Sequence, residues 1–395
     1  MNSPIIDHDR RKLCRLGLGG LSALFIAPFT FTTQNIAAPL QSATVGMLQA
    51  PDESGVRLPV GLASRIVARS EQNLFGYQWH AAPDGGATFS TPDGGWIYVS
   101  NSECRKGKGG AGALRFNRQG VLVDAYSILQ GTHNNCAGGA TPWQTWLSCE
   151  EVERGAVWEC DPFGKREPVI RETLGRFQHE AVAVDTHTMQ LYLTEDKPDG
   201  CLYRYTALEF DTAGFPDLTT GRLDVMQIVD RQNNRVAWHP LRNPAARYQP
   251  TRKQSVLATH FNGGEGIWYH NGFIYFTTKG DNRIWALDTT RQTLKVIYDA
   301  AQHLNPILTG VDNIIANAAG ELLVAEDGGN MEIVMLAAGT IKPLLQIVGH
   351  DRSEITGPAF SPDGSRLYFS SQRGANGRDR DGITYEISGF GSSLR

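Results

Sequence analysis

Trp96-Ile97-Tyr98-Val99-Ser100 is a run of β-forming residues set directly after a tight-turn signal, Thr91-Pro92-Asp93-Gly94-Gly95. Runs of the same kind return as Thr145-Trp146-Leu147-Ser148, Leu191-Tyr192-Leu193-Thr194, Ile274-Tyr275-Phe276-Thr277, Leu322-Leu323-Val324-Ala325 and Leu367-Tyr368-Phe369-Ser370. Successive runs lie about 48, 46, 83, 48 and 45 residues apart. The single long step holds an insertion, about residues 208–258. A second landmark follows each run and keeps the same rhythm, with core positions Leu114, Val157, Leu202, Ile284, Ile333 and Ile383. Further turn signals, His270-Asn271-Gly272 and Ser361-Pro362-Asp363-Gly364, stand just ahead of the runs. A period of about 40–50 residues with about four strands per unit is the signature of propeller blades. A pair of β-sandwiches does not predict a constant period. The predicted fold is therefore all-β, a six-bladed β-propeller with a central metal-binding channel, over residues 70–395.

Composition agrees with this. The 395 residues carry 37 Lys and Arg against 41 Asp and Glu, so the net charge of −4 offers no basic field for nucleic acid. The 43 Gly and 19 Pro make a turn-rich chain, below the share that marks low complexity. Collagen-like, disordered and coiled-coil readings fall away.

Ahead of the repeats, Arg10-Arg11-Lys12-Leu13-Cys14-Arg15 precedes an apolar stretch from Leu16 to Phe31, and small residues follow near Ala37 to Ala43. We read residues 1–38 as a signal peptide and residues 39–69 as an N-terminal extension. The apolar part is short for a spanning helix, which needs about 20 residues. No stable membrane insertion is expected after cleavage. The paired arginines look like a twin-arginine signal, which carries folded, often cofactor-loaded proteins. An ordinary secretory signal or an uncleaved anchor is the alternative. The expected location is periplasmic or secreted. Of six cysteines, Cys14 would leave with the signal, so Cys104, Cys136, Cys149, Cys160 and Cys201 remain. The number is odd, so at least one is free or does something other than bridging.

In an up-and-down blade, the innermost strand begins at the face where the second strand ends. Before the inner strands stand Cys136, Glu180, Glu265, Asp312 and Glu354. After the second strands stand Asn101 and Glu103, Glu150 and Glu151, Glu195 and Asp196, Asp281, and Glu326 and Asp327. Both sets converge on one mouth of the channel. Like charges so close are costly unless protonated or bound to cations. Hard oxygen ligands at this density suit calcium or magnesium, and a thiolate among them adds a softer transition-metal position. His133, His179 and His260 lie near these residues as candidate partners that orient a ligand, and a structural role fits each equally well. There is no nucleophile elbow, no phosphate-cradling Gly-rich loop and no Cys-x-x-Cys. Glycosidase-type paired carboxylates stay open, because distances across units are invisible in sequence.

The segment His133-Asn134-Asn135-Cys136-Ala137-Gly138-Gly139-Ala140-Thr141-Pro142-Trp143 resembles the signature of the PhoX-type alkaline phosphatases. So do Gly175-Arg176-Phe177-Gln178-His179-Glu180 and Glu354-Ile355-Thr356-Gly357-Pro358, and the resemblance runs from about residue 70 to the end. It implies a periplasmic six-bladed propeller that hydrolyses phosphomonoesters on a cluster of iron and calcium. It makes Cys136 the thiolate ligand of iron and Glu180 a ligand of iron and calcium. Glu265 and Glu151 become further cluster ligands, Asp327 a calcium ligand, and Asn101 a contact to the phosphate. With the ring acids, the expected metal set is Cys136, Glu150, Glu151, Glu180, Glu265, Asp312, Glu326 and Asp327, with Asn101, Glu180 and Glu265 in catalysis. The expected partner is a small-molecule phosphate ester, and the expected state a monomer. One departure stands out. The phosphatases carry a phosphate-gripping arginine two residues before the glutamate matching Glu265, and here that position is Gly263. Lys279 or Arg252 could supply a cation instead. The rival readings are a calcium-binding propeller that hydrolyses lactones or esters, and a non-catalytic one.

Overall fold

The computed structural model describes residues 46–391, apart from 231 and 338. The expected signal, residues 1–38, and the first part of the extension lie outside the described residues. Among the described residues no helix is long and apolar enough to cross a membrane, and helical structure is limited to short 3-10 turns such as Glu172–Leu174.

The chain is all-β and propeller-like. The first sheet is a meander of Pro83–Ser90, Trp96–Ser102, Gly109–Phe116 and Leu122–Thr132. The next holds Asn135–Ala140, Trp146–Glu150, Val157–Cys160 and Val169–Ile170. Strands such as Trp96–Ser102 and His179–Asp185 are buried along their whole length. They lie between sheets on both faces, which is why they read as continuous rather than alternating apolar runs. The turn at Thr91-Pro92-Asp93-Gly94 closes with the Gly94 amide donating to the Thr91 carbonyl, and Gly94 sits at φ +80°, a conformation suited to glycine.

The third and fourth repeats depart from the expectation of separate sheets. His179–Asp185, Gln190–Glu195, Leu202–Ala207, Gly221–Asp230 and Arg235–Pro240 share one nine-stranded sheet with Thr293–Asp299, Arg283–Asp288, Phe273–Thr278 and Gly264–His270. The physical reason is the insertion. It adds the edge strand Arg235–Pro240, which meets the neighbouring edge through one residue pair, Arg235 with Thr293. Two flanking backbone bonds, Val236 to Gln292 and Leu294 to Asn234, close that seam.

Val311–Ala316, Leu322–Glu326, Glu332–Ala337 and Thr340–Ile347 form the next sheet, extended by Val56–Arg57. The last holds Ile355–Phe360, Arg366–Ser371, Ile383–Ser388 and Ala63–Arg69. Residues 63–69, read from sequence as part of an extension, thus form the outer strand of the final sheet. Buried Glu386 fixes this closure. It accepts from Arg65 at 2.7 and 2.9 Å, from Arg366 at 2.6 Å and from the Tyr368 hydroxyl at 2.7 Å.

The first strands of all six repeats pack side by side in cyclic order, with Ile355–Phe360 returning to Pro83–Ser90. Apolar side chains fill the spaces between sheets. Trp146 of the second sheet packs with Ile97 and Val99 of the first, and Tyr368 of the last packs with Trp96, Tyr98 and Phe116. Each fully buried side chain of this size contributes about 1.5–3 kcal/mol.

Candidate metal centre

Every first strand breaks register once near its start. The breaks fall between Pro83 and Gly86, Asn135 and Gly138, His179 and Val182, Gly264 and Ile267, Val311 and Ile314, and Thr356 and Ala359. A bulge inserts an extra residue and re-aims its side chain. The first bulged residue is Asp84, Cys136, Glu180, Glu265 or Asp312 in five strands, and Gly357 in the sixth. In four strands the residue after it is small, Gly85, Ala137, Ala181 or Gly266, because the strands approach closely there. A Cβ on Gly85 would lie 2.4 Å from the Ala137 Cα, and one on Gly266 2.7 Å from the Asn313 Cα.

The second strands add a second tier. At equivalent positions just past their ends stand Glu103, Glu151, Asp196, Lys279 and Asp327. The residue before each faces the other way, as the two-residue period of a strand requires. This separates Glu150 and Glu326 from the expected metal set. Glu150 accepts from the backbone of His133 at 3.0 Å and Ala156 at 3.1 Å, and Glu326 from Thr309 at 2.9 Å and Glu332 at 3.1 Å. Both lock turns inside their own sheets. Asp281 pairs with Arg283 at 3.0 Å, off the ring.

Three groups could each hold a cation: Cys136, Glu151 and Glu180; Glu180, Glu265 and Asp312; and Asp312, Asp327 and Glu354. Within a group the ligand atoms lie within 4.8 Å of one another. Glu180 and Asp312 are each shared, so the groups run on from an arc of Cys136, Glu151 and Glu180 into a second arc of Glu265, Asp312, Asp327 and Glu354. The Cys136 thiol donates to Glu180 Oε1 at 3.1 Å and points to Asp84 at 3.6 Å. Glu180 Oε2 is buried with no hydrogen-bond partner. An orphaned carboxylate oxygen at the junction of two groups, beside a thiol, fits a shared metal ligand.

Burial, then neighbouring charge, pushes these groups toward their neutral forms. Glu180 is raised by burial and by Glu265, Glu151 and Asp312, and Asp84 by burial and by Glu103 and Glu354. Burial and the nearby acids also raise the Cys136 thiol, and Glu151 is pushed up to about 8. A bound cation would reverse this, since ligands bind deprotonated.

Two side-chain cations stand on the other arc. Lys279 Nζ lies 3.0 Å from Glu265 Oε1 and 3.1 Å from Asp327 Oδ2. Burial opposes its charge, but Glu265, Asp312, Asp327 and Asp196 outweigh that and its pKa is raised. Arg373 reaches Glu103 at 2.9 Å and pairs with Glu354. Gln372 donates to Asp84 and, at 2.9 Å, to Glu103. Sequence reasoning did not single out Asp84, Gln372 or Arg373. For Asp84 a signal existed, because Asp84-Gly85-Gly86 repeats the bulge pattern of Cys136-Ala137-Gly138. Arg252, the other candidate cation, pairs instead with Glu195 at 3.0 Å and Asp199 at 2.9 Å.

Asn101 spends its amide on protein. It donates to the carbonyls of Cys136 at 3.0 Å and Ala137 at 2.8 Å, and accepts from Trp146 at 2.9 Å and Ser148 at 2.8 Å. Thr194 and Thr277 hold the carbonyls of Glu265 and Asp312 in the same way, each at 2.6 Å. The histidines take structural places: His133 faces the Gly107 amide, His179 the Gly175 carbonyl, and His260 the Asp199 carbonyl. The five described cysteines are free. Gly263 borders the ring at φ +71°, where a Cβ would lie 3.2 Å from Asp196 Oδ1 and 3.8 Å from Glu265 Oε1. Beyond the ring, the first strands enclose an apolar cavity of about 300 Å³ lined by Ala137, Ala181, Ile267 and Ile314.

A family model described as alkaline phosphatase PhoX matches residues 99–374. No curated protein matches the sequence. Among solved structures, the fold is similar to Pseudomonas fluorescens PhoX in complex with vanadate, a transition state analogue. The TM-score is 0.68 at 17% identity, over 87% of this chain and 98% of that one. It is also similar to a Xanthomonas campestris gluconolactonase, with a TM-score of 0.50 at 12% identity over 87% and 98% of the two chains.

Proposed function

The chain belongs to the alkaline phosphatase PhoX family, and on that premise we propose that it is a metal-dependent phosphoric-ester hydrolase acting on a small-molecule phosphate ester. The observation that carries this is the buried, partnerless Glu180 Oε2 at the junction of two ligand groups. Cys136, Glu151 and Glu180 would hold the softer metal, iron, and Glu265, Asp312, Asp327 and Glu354 would face the harder one, calcium. Such cations supply charge neutralisation of the phosphoryl group and an activated water. The chain's own residues do the rest. Asn101, Thr194 and Thr277 fix the backbone of the bulged ligands. The apolar cavity beneath keeps the local dielectric low, which strengthens every charge interaction in the ring.

The wider reading goes with this. We read the nine-stranded sheet as two blades joined edge to edge, giving six blades around a central channel. We assign residues 1–38 to a twin-arginine-type signal, residues 39–69 to an N-terminal extension that lends strands to the last two sheets, and the protein to the periplasm or exterior as a monomer.

The test is metal content and turnover together. Native protein exported by its own signal is expected to contain iron and several calcium ions, and Cys136→Ala to lose the iron. Absence of turnover by metal-loaded protein on phosphomonoesters and diesters, from neutral to alkaline pH, would overturn the phosphatase reading. Gly263 favours one second reading, a calcium-dependent lactone or ester hydrolase, because no side chain there can grip phosphate. That reading predicts calcium without iron, and turnover of lactones.

A further inference from the structure

We propose that the ammonium of Lys279 is a built-in substitute for one divalent cation, so that the ring takes one metal ion fewer than its carboxylates alone would require. The inference rests on the metal-binding reading above. It starts from register. At the position just past the second strand, four of the first five repeats carry acids, Glu103, Glu151, Asp196 and Asp327, and the fourth repeat carries Lys279. Exchanging a carboxylate for an ammonium shifts the local charge by two units, the charge of one divalent ion.

Geometry puts that charge where an ion would act. Lys279 Nζ sits between Glu265 and Asp327, which come from adjacent repeats, at 3.0 and 3.1 Å. The Glu265 side chain is 2% exposed, so this is not a pair between two solvated surface groups. The backbone fixes the approach: the Lys279 amide donates to the Gly263 carbonyl at 2.9 Å and the Gly280 amide to Asn262 at 3.0 Å. On the opposite arc no positive side chain reaches Cys136, Glu151 or Glu180 through a salt bridge among the described residues, and Glu180 Oε2 is left without a partner. Lys279 thereby takes up part of the charge of Glu265 and Asp327, so that fewer divalent ions are needed there, while the Cys136 arc has no such side chain.

The experiment counts divalent ions bound per chain, by elemental analysis and calcium titration, in the wild type, Lys279→Glu, Lys279→Gln and Lys279→Arg. Lys279→Glu is expected to bind one ion more than wild type and to gain a calcium-dependent rise in melting temperature beyond that of wild type. Lys279→Gln, the milder change, is expected to gain the same ion more weakly, and serves if Lys279→Glu does not fold. Lys279→Arg is expected to keep the wild-type count. Equal counts in wild type, Glu and Gln variants overturn the role of Lys279 while leaving the metal reading intact. No metal in any of the proteins overturns both.

Discussion

The two arcs of the carboxylate ring occupy equivalent positions in the fold and solve the same electrostatic problem differently. The arc of Glu265, Asp312, Asp327 and Glu354 carries its own cations, Lys279 and Arg373. The arc of Cys136, Glu151 and Glu180 carries none among the described residues, while burial and neighbouring charge push the acids of both arcs toward protonation. A buried charge with no partner costs several kcal/mol. The first arc offsets part of this with its own side chains, and the second has only a cation from outside to do so. A repeated scaffold can therefore differentiate its sites by single residues at one register position.

The largest effect breaks the cation-free arc. Glu180→Ala removes the ligand shared by two groups, and metal affinity and hydrolysis should both fall beyond the roughly 10–100-fold typical of outer partners. Elemental analysis and initial rates check this. A smaller effect tests the compensated arc. Arg373→Ala removes the cationic partner of Glu354 and Glu103 and should destabilise by about 2 kcal/mol, below the 3–5 kcal/mol of a fully buried pair because the guanidinium is partly exposed. Denaturant titration of metal-free protein reads it, and Glu151→Gln should shift the midpoint the opposite way above neutral pH.

The pH dependence separates the arcs further. Glu151 is raised to about 8 in the folded state, so the folded protein holds a proton that the unfolded chain has lost. Its contribution is fully present below the ordinary glutamate range and falls as pH rises from there to about 8. Metal-free protein should lose stability across that window, and metal-loaded protein much less, as melting curves at several pH values would show. The smallest expected effect is at Gly263. Gly263→Arg places a guanidinium beside Asp196 and Glu265 at a strained φ, at a cost of about 1–2 kcal/mol. It should still raise kcat/KM for phosphate esters by about tenfold, the contribution of one charge-assisted hydrogen bond, while the strain lowers stability. Unchanged kcat/KM in a folded variant would separate this position from substrate binding.

The repeat and the convergence of acids were legible because strand periodicity and turn residues are local signals. Glu150 against Glu151, and Glu326 against Asp327, were not resolved, since only the inner-strand bulge sets which of two neighbours faces the ring. Asp84 hid in Pro83-Asp84-Gly85-Gly86, which reads as a turn. Arg373 reaches Glu103 from the other end of the chain, and the seam between Arg235 and Thr293 depends on how far an insertion extends. Both are tertiary facts with no local trace. The resemblance makes Asn101 a contact to the phosphate, and its amide hydrogen-bonds Trp146 and Ser148 through its oxygen and the Cys136 and Ala137 carbonyls through its nitrogen, partners that come from the next repeat.

The closing sheet has a consequence for the order of assembly. Its outer strand, Ala63–Arg69, pairs with Ile383–Ser388, made much later, with Arg65 and Glu386 lying 321 residues apart in sequence. The ligands Asp84 and Glu354 are likewise far apart in sequence. Contacts of such separation form late, because loop closure must precede them. The carboxylate ring is therefore completed only after the closing sheet has been made. A cation loaded into the finished ring would act as a latch, raising the barrier to reopening at the seam between the first and last sheets.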